Sequence, residues 1–276
     1  MPYSLRMRFA VGDVHGYRRE VRDALAAAGL VDSAGDWSGG DAEVWFAGDL
    51  MDRGPDGVGV VSDVMRWQRQ AGESGGYVGS VLGNHEVLAL GMRRFGDVKL
   101  ATRWTSGDMP SFASSWLANG GRMRDQELLT DEMASWLADL PALVRTGDDL
   151  LIHADTTDYL RLGSDAQAVN ARVSAILHGD DLETCWRLWA AMTQRYAFLG
   201  EDGPARARAM LEAAGGSRVV HGHSIIGDLR DISSSSVEEA WLYADGLVLA
   251  VDGGVYDGGP SLVVPLDSPS AGGEQS

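Results

Sequence analysis

Cysteine is nearly absent from the 276 residues. Cys185 stands alone, so no internal disulfide forms, and an oxidising extracellular compartment gains no support. Lysine also occurs once, at Lys99, and it lies in no glycine-rich phosphate loop, which sets aside an ordinary nucleotide-binding α/β domain. The remaining basic charge is arginine, a residue type suited to bidentate phosphate recognition, although genome composition alone can produce the same bias. No apolar run is long enough to span a membrane, and Met1 to Ala10, with Arg6 and Arg8, lacks the pattern of a signal peptide. Positive charge is scarce overall: 23 basic against 40 acidic residues leave a formal net charge of −17, which argues against a general nucleic-acid binder. A reduced, cytoplasmic protein is therefore expected, with no nucleic-acid and no membrane partner. An anionic substrate would need positive charge supplied locally.

What is present is a chain that is 45% hydrophobic, enough for a substantial core. Short runs rich in Val, Leu and Ile recur, each ending in Gly, Asp, His or Asn, and they predict buried strands feeding loops. Met7 to Val11, Glu43 to Ala47 and Tyr77 to Leu82 are each followed by a polar loop and a helical pattern, an alternation that predicts a layered α/β fold. Ligands are then expected at the carboxyl ends of the strands. Residues 97–140 and 157–214 read as helical, and Trp104, Trp116, Trp136, Trp186 and Trp189 within them are expected to serve a core or cap. Ala142 to Ala154 predicts two short strands around a Gly147-Asp148 turn. Arg218 to His221, Asp228 to Ile232, Leu247 to Val251 and Ser261 to Val264 predict a second, largely antiparallel sheet. Residues 1–266 are expected to form one domain, and the Ser-, Gly- and Pro-rich tail 267–276 is expected to be disordered.

The polar strand ends carry the chemistry. Asp13 and His15 lie two apart after the first strand, where alternate side chains point the same way. Asp49 follows the second strand, Asn84 the third, His153 a later one and His223 another. That donor set of carboxylates, imidazoles and an amide oxygen suits a pair of divalent ions such as manganese, zinc or iron, and does not suit a thiolate site.

Gly12-Asp13-Val14-His15-Gly16, Gly48-Asp49-Leu50-Met51-Asp52-Arg53-Gly54 and Gly83-Asn84-His85-Glu86 resemble the three signature blocks of the phosphoprotein phosphatase family of calcineurin-like metallophosphoesterases. The resemblance extends to His153-Ala154, to Val220-His221-Gly222-His223-Ser224 and to Val251-Asp252-Gly253-Gly254. Compact lambda-type bacterial and phage serine/threonine phosphatases and the diadenosine tetraphosphatases are the most similar branches.

This resemblance implies a sandwich of two mixed sheets flanked by helices, with a helical cap. It further implies that Asp13 and His15 bind one ion, that Asp49 bridges two, and that Asn84, His153 and His223 complete the second site. Manganese is the first choice, with iron or zinc possible. A hydroxide bridging the ions would attack phosphorus directly, with His85 as general acid, Asp52 orienting it, and Arg53 and Asn84 binding phosphate. The implied substrate is a phosphomonoester, foremost phosphoserine or phosphothreonine in a protein, with dinucleoside polyphosphates as the alternative.

Four positions fall outside the direct matches. The Leu188-Trp189 segment running to Arg195 loosely resembles the family's region before its second phosphate arginine, so Arg195 is preferred, with Arg161 and Arg187 as alternatives. Of His221 and His223, the second precedes serine as the family's ligand does, leaving His221 a supporting role at a strand end. Asp155 follows His153-Ala154, where the family more often has glycine, and Asp252 is expected to be structural or to support the ligands.

Overall fold

The structure, a computed structural model, describes residues 6–100 and 109–266. Trp104 and the tail 267–276 lie outside the described residues. The order is β1 (Arg8–Val11), α1 (Arg18–Ala27), β2 (Glu43–Phe46), α2 (Gly57–Glu73), β3 (Tyr77–Ser80) and α3 (Asn84–Phe95). Next come α4 (Phe112–Ala118), α5 (Met123–Leu128), α6 (Asp131–Ala138), β4 (Leu143–Thr146) and β5 (Asp149–Ile152). The chain continues with a 3-10 turn (Asp158–Arg161), α7 (Ala166–His178), α8 (Leu182–Met192), α9 (Gly203–Ala214), β6 (Arg218–His221) and α10 (Ile226–Arg230). It closes with β7 (Trp241–Tyr243), β8 (Val248–Ala250) and β9 (Val263–Pro265), with further 3-10 turns at Ser234–Ser236 and Val255–Asp257.

Two mixed sheets form the centre, ordered β3-β2-β1-β9 and β4-β5-β6-β8-β7. Strand alternation decides which layer each residue serves. Phe9, Val11, Val44, Phe46 and Val78 join the core beneath the helices, whereas Ala10, Trp45 and Ala47 meet Leu151, Val220 and Leu249 of the other sheet. Helices also cover the outer face of the second sheet, where Leu150, Ile152, Val219 and Val248 are buried in the larger core. A four-layer αββα sandwich follows from that double burial.

The second sheet departs from the antiparallel expectation. β5, β6 and β8 run parallel, and only the outer pairs β4–β5 and β7–β8 are antiparallel. Parallel neighbours require long crossovers, supplied here by α7 to α9 between β5 and β6 and by α10 and the following turns before β8. Two strand assignments also change. Asp228 to Ile232 is not a strand: Ile226 and Leu229, three apart, bury one face of α10, and Asp231 ends that helix in the left-handed conformation. The strand expected at Ser261 to Val264 is β9, and it pairs antiparallel with β1 in the first sheet. β7, only three residues long, carries too short a pattern to be read beforehand.

Parallel strands β1, β2, β3, β5, β6 and β8 all end at one edge of the sandwich, and every candidate loop follows one of them. Gly48 turns the second loop with φ +97°, and a Cβ there would meet Gly83 Cα at 2.9 Å and His153 Nδ1 at 2.8 Å. Only glycine lets β2 and β3 leave the sheet so close together.

Beside this edge, the buried Asp63 on α2 ties α1 down. Its carboxylate accepts paired hydrogen bonds from Arg18 (2.8 and 2.9 Å) and Arg22 (2.6 and 2.7 Å). Burial alone would raise its pKa, but the two guanidiniums outweigh it and hold Asp63 below the usual carboxylate range. A group depressed in the folded state contributes stability above its unfolded pKa of about 3.9 and loses it as pH falls through the lower folded value. Asp63→Asn should therefore cost about 1–2 kcal/mol at pH 7, with the gap from wild type closing in acid below about pH 4. Urea unfolding at several pH values checks this, and a gap that widened in acid would contradict it.

Candidate metal centre

Asp49 is the geometric focus of the strand-end edge. Its carboxylate lies 3.7 Å from His15 Nε2, 3.9 Å from His85 Nε2 and 3.3 Å from His153 Nε2. Two donor groups share it: His15, Asp49 and His85 on one side, and Asp49, His153 and His223 on the other, all buried. Asp13 borders the first group, its carboxylate 3.9 Å from His15 Nε2, and accepts the His223 backbone N–H at 3.0 and 3.1 Å. Asn84 Oδ1 lies 2.9 Å from His153 Nε2. All six residues proposed as ligands from the sequence thus converge at one place.

Ring hydrogen bonds orient the imidazoles. His153 Nδ1 donates to Ala47 O (2.8 Å) and His15 Nδ1 to Met51 O (3.2 Å), which leaves each Nε2 facing Asp49. His223 places Nε2 3.3 Å from Thr193 O, while its Nδ1 is buried without a partner. An orphaned buried ring nitrogen beside carboxylates is the arrangement a metal ion satisfies. Burial, helped by neighbouring cationic groups, lowers His15 and His223 well below the ordinary histidine value, so both offer neutral nitrogens. Burial also works against a charged His153, but Asp49 outweighs it and pushes His153 up to about 9. Burial and the carboxylates of Asp252 and Asp49 raise Asp13 well above the carboxylate range. Buried carboxylates packed this tightly fit divalent cations.

His85 sits where the first group meets a relay. Its Nδ1 lies 2.9 Å from Asp52 Oδ2, and the other Asp52 oxygen accepts the Trp116 indole N–H at 2.8 Å. Arg53 Nη2 lies 3.3 Å from His85 Nε2, which makes Nε2 the acceptor and Nδ1–H the donor to Asp52 in this arrangement. The Arg53 guanidinium also lies 3.8 Å from the centre of the Tyr256 ring. Arg195 reaches the same edge, donating through Nη1 to His223 O. Arg161 and Arg187, the alternatives to it, instead make surface ion pairs with Asp158 and Glu183.

His221 is not free for a metal, since Nδ1 lies 2.8 Å from Gly222 O and Nε2 2.8 Å from Tyr243 OH. Asp252 Oδ1 accepts Gly254 N–H at 2.9 Å.

Four participants escaped the sequence reading. Glu86, buried, accepts backbone N–H groups from Asp49, Leu50, Met51 and Gly83. Asp155 accepts from Ser224 Oγ (2.5 Å) and Tyr196 N–H (2.7 Å), joining the His223 loop to the segment after Arg195. Trp116 was assigned to a core or cap, and is indeed buried, but its indole N–H holds Asp52. Tyr256, alone in a glycine-rich stretch, gave no signal. The backbone does mark the site: His15, Asp49, Asp52, Arg53 and His223 all have φ between 47° and 65°, a left-handed conformation unusual for residues other than glycine.

Comparison with known proteins agrees with this geometry. The family model for calcineurin-like phosphoesterases matches residues 8–227. Shewanella-like protein phosphatase 2 of Arabidopsis thaliana is 31% identical over 115 residues, 42% of this chain and 28% of that protein. A symmetrical bis(5'-nucleosyl)-tetraphosphatase of Pectobacterium carotovorum is 30% identical over 179 residues, 62% of this chain and 51% of that protein. The chain thus matches between about a quarter and a half of the length of these relatives. Among solved structures, the cold-active protein-tyrosine phosphatase of a psychrophilic Shewanella superposes with a TM-score of 0.68 at 20% identity, covering 94% of this chain and 75% of that one. The convergent strand ends and the matching family model agree, and the chain belongs to the calcineurin-like phosphoesterase family.

Proposed function

We propose that this chain is a metal-dependent phosphatase of phosphomonoesters, with phosphoserine and phosphothreonine in proteins as its substrates, and that residues 1–266 act as one catalytic domain. The observation that carries the reading is His85, held between Asp52 and Arg53 beside two donor groups that share Asp49.

In this reading Asp13, His15 and Asp49 hold one divalent ion, and Asp49, Asn84, His153 and His223 hold another, with manganese preferred over iron or zinc. When bound, such ions supply Lewis acidity to the phosphoryl oxygens and lower the pKa of attacking water. The chain's own residues do the rest. Arg53, Arg195 and Asn84 bind the phosphate oxygens, the guanidinium forks matching them two at a time. The water oxygen bonds to phosphorus as the P–O ester bond breaks, His85 Nε2 gives a proton to the leaving alkoxide, and the proton lost by the water restores it. Asp52 keeps the His85 ring oriented, and Trp116 fixes Asp52. The phosphate leaves without having been attached to the protein.

Cleavage of dinucleoside polyphosphates is the second reading, favoured by the likeness to the symmetrical tetraphosphatases. A cytoplasmic setting suits Cys185, whose buried thiol is pushed up to about 11 by desolvation and so resists oxidation. Among the described residues, no helix is long and apolar enough to cross a membrane.

Stripping metal by chelation should abolish hydrolysis of a small aryl phosphate, and manganese should restore it; activity in metal-free protein would overturn the reading. Rates on phosphoserine, phosphothreonine and phosphotyrosine peptides, compared with diadenosine tetraphosphate, decide the substrate. His85→Asn should lower kcat by roughly 10²–10⁴-fold while two metals stay bound. Loss of a metal from that variant would make His85 a ligand instead. Trp116→Phe should lower kcat roughly tenfold with KM little changed, and an unchanged kcat would remove Trp116 from the relay.

A further inference from the structure

Arginine gathers at one further place in this acidic chain. A cavity of about 880 Å³ is lined by Arg161 after β5, Arg172 on α7, Arg187 on α8, Arg195 beyond α8 and Arg206 on α9. Asp158 is the only acidic residue among those lining it. Arg161, Arg187 and Arg206 have partners in Asp158, Glu183 and Asp202, all pairs that water screens. Arg172 is exposed and has no ion-pair partner among the described residues. Compositional bias explains why these residues are arginine and not lysine. It does not explain why five of them face one cavity in a chain of net charge −17.

The cavity shares Arg195 with the edge of the candidate metal centre. Arg195 bonds His223 O, and Thr193 O lies 3.3 Å from His223 Nε2. Tyr196, 43% exposed, follows with φ 66°, a left-handed conformation costly for a tyrosine. Asp155 holds this segment in place, accepting Tyr196 N–H through its side chain and Ala197 N–H (2.9 Å) through its carbonyl, while its other carboxylate oxygen bonds Ser224 beside His223. The strained turn thus follows the arginine proposed to bind phosphate, and the cavity it lines holds four more arginines.

We infer that this cavity is a substrate subsite for a second anionic group, a carboxylate or a phosphate, carried on the same molecule as the phosphate being hydrolysed. The inference rests on the phosphatase reading above. It makes the arginine-lined cavity, and not the metal centre, the source of selectivity. A substrate rich in acidic groups is then drawn to a surface patch whose sign is opposite to that of the whole chain.

Three phosphopeptides of one parent sequence test it with the manganese-loaded full chain: neutral flanks, glutamates on both sides, and a neighbouring non-hydrolysable phosphonate. An aryl phosphate is assayed alongside. Wild type should turn over at least one anionic peptide with kcat/KM roughly tenfold above the neutral peptide. That preference should shrink as salt rises and disappear in Arg161→Glu/Arg172→Glu, whose exposed positions leave the fold undisturbed. Gain with glutamate alone assigns carboxylate as the ligand, and gain with the phosphonate alone assigns phosphate. Equal rates on the three peptides, or a preference that survives the double substitution, would overturn the subsite while hydrolysis of the aryl phosphate upheld the phosphatase reading. Failure on the aryl phosphate would overturn that reading itself.

Discussion

The site depends on one buried carboxylate that is not proposed to touch metal or substrate. Glu86 gathers the backbone N–H groups of Asp49, Leu50, Met51 and Gly83 onto its two oxygens and so ties the loop after β2 to the loop after β3. That second-strand loop carries Asp49, Asp52 and Arg53, all three in the left-handed conformation. Burial and the neighbouring Asp49 carboxylate push Glu86 up to about 7, so its four backbone bonds both offset that burial and hold three strained residues in place. The left-handed turns aim side chains in directions that an ordinary loop would not, so that Asp49 faces His15 and His153 while Asp52 reaches His85.

The parallel strands β1 to β3 were legible because they are apolar runs closed by Gly-Asp or Gly-Asn, whereas β9 was expected in the other sheet. The proposed ligands follow the same logic: Asp13, His15, Asp49, Asn84, His153 and His223 each stand one to four residues past a strand, and the two sheets deliver them to one edge. Less was visible in the second sheet, where a three-residue edge strand leaves no periodicity and the direction of a strand depends on crossovers of tens of residues. Residues that act through contacts far along the chain were also hidden. Trp116 lies 64 positions from Asp52, and Asp155 lies 69 from Ser224; as isolated residues they read as core tryptophan and loop acid.

Charge is partitioned rather than uniform. Most of the acidic excess is solvated or paired, as in the arginine fork around Asp63, while the metal centre holds a small number of carboxylates deep in the protein. Their burial is unfavourable by itself and becomes favourable with cations among them. The arginines cluster beside that centre, so the net charge of −17 describes the surface as a whole and not the approach to the reactive edge.

The central claim is that Asp49 is shared between two ions. The most direct test counts metal in purified protein by mass spectrometry after manganese loading and desalting, for wild type and for Asp49→Ala. The account predicts two ions per wild-type chain and at most one in the variant, with circular dichroism showing that the variant is folded. A single ion in wild type, or two retained without Asp49, would contradict it.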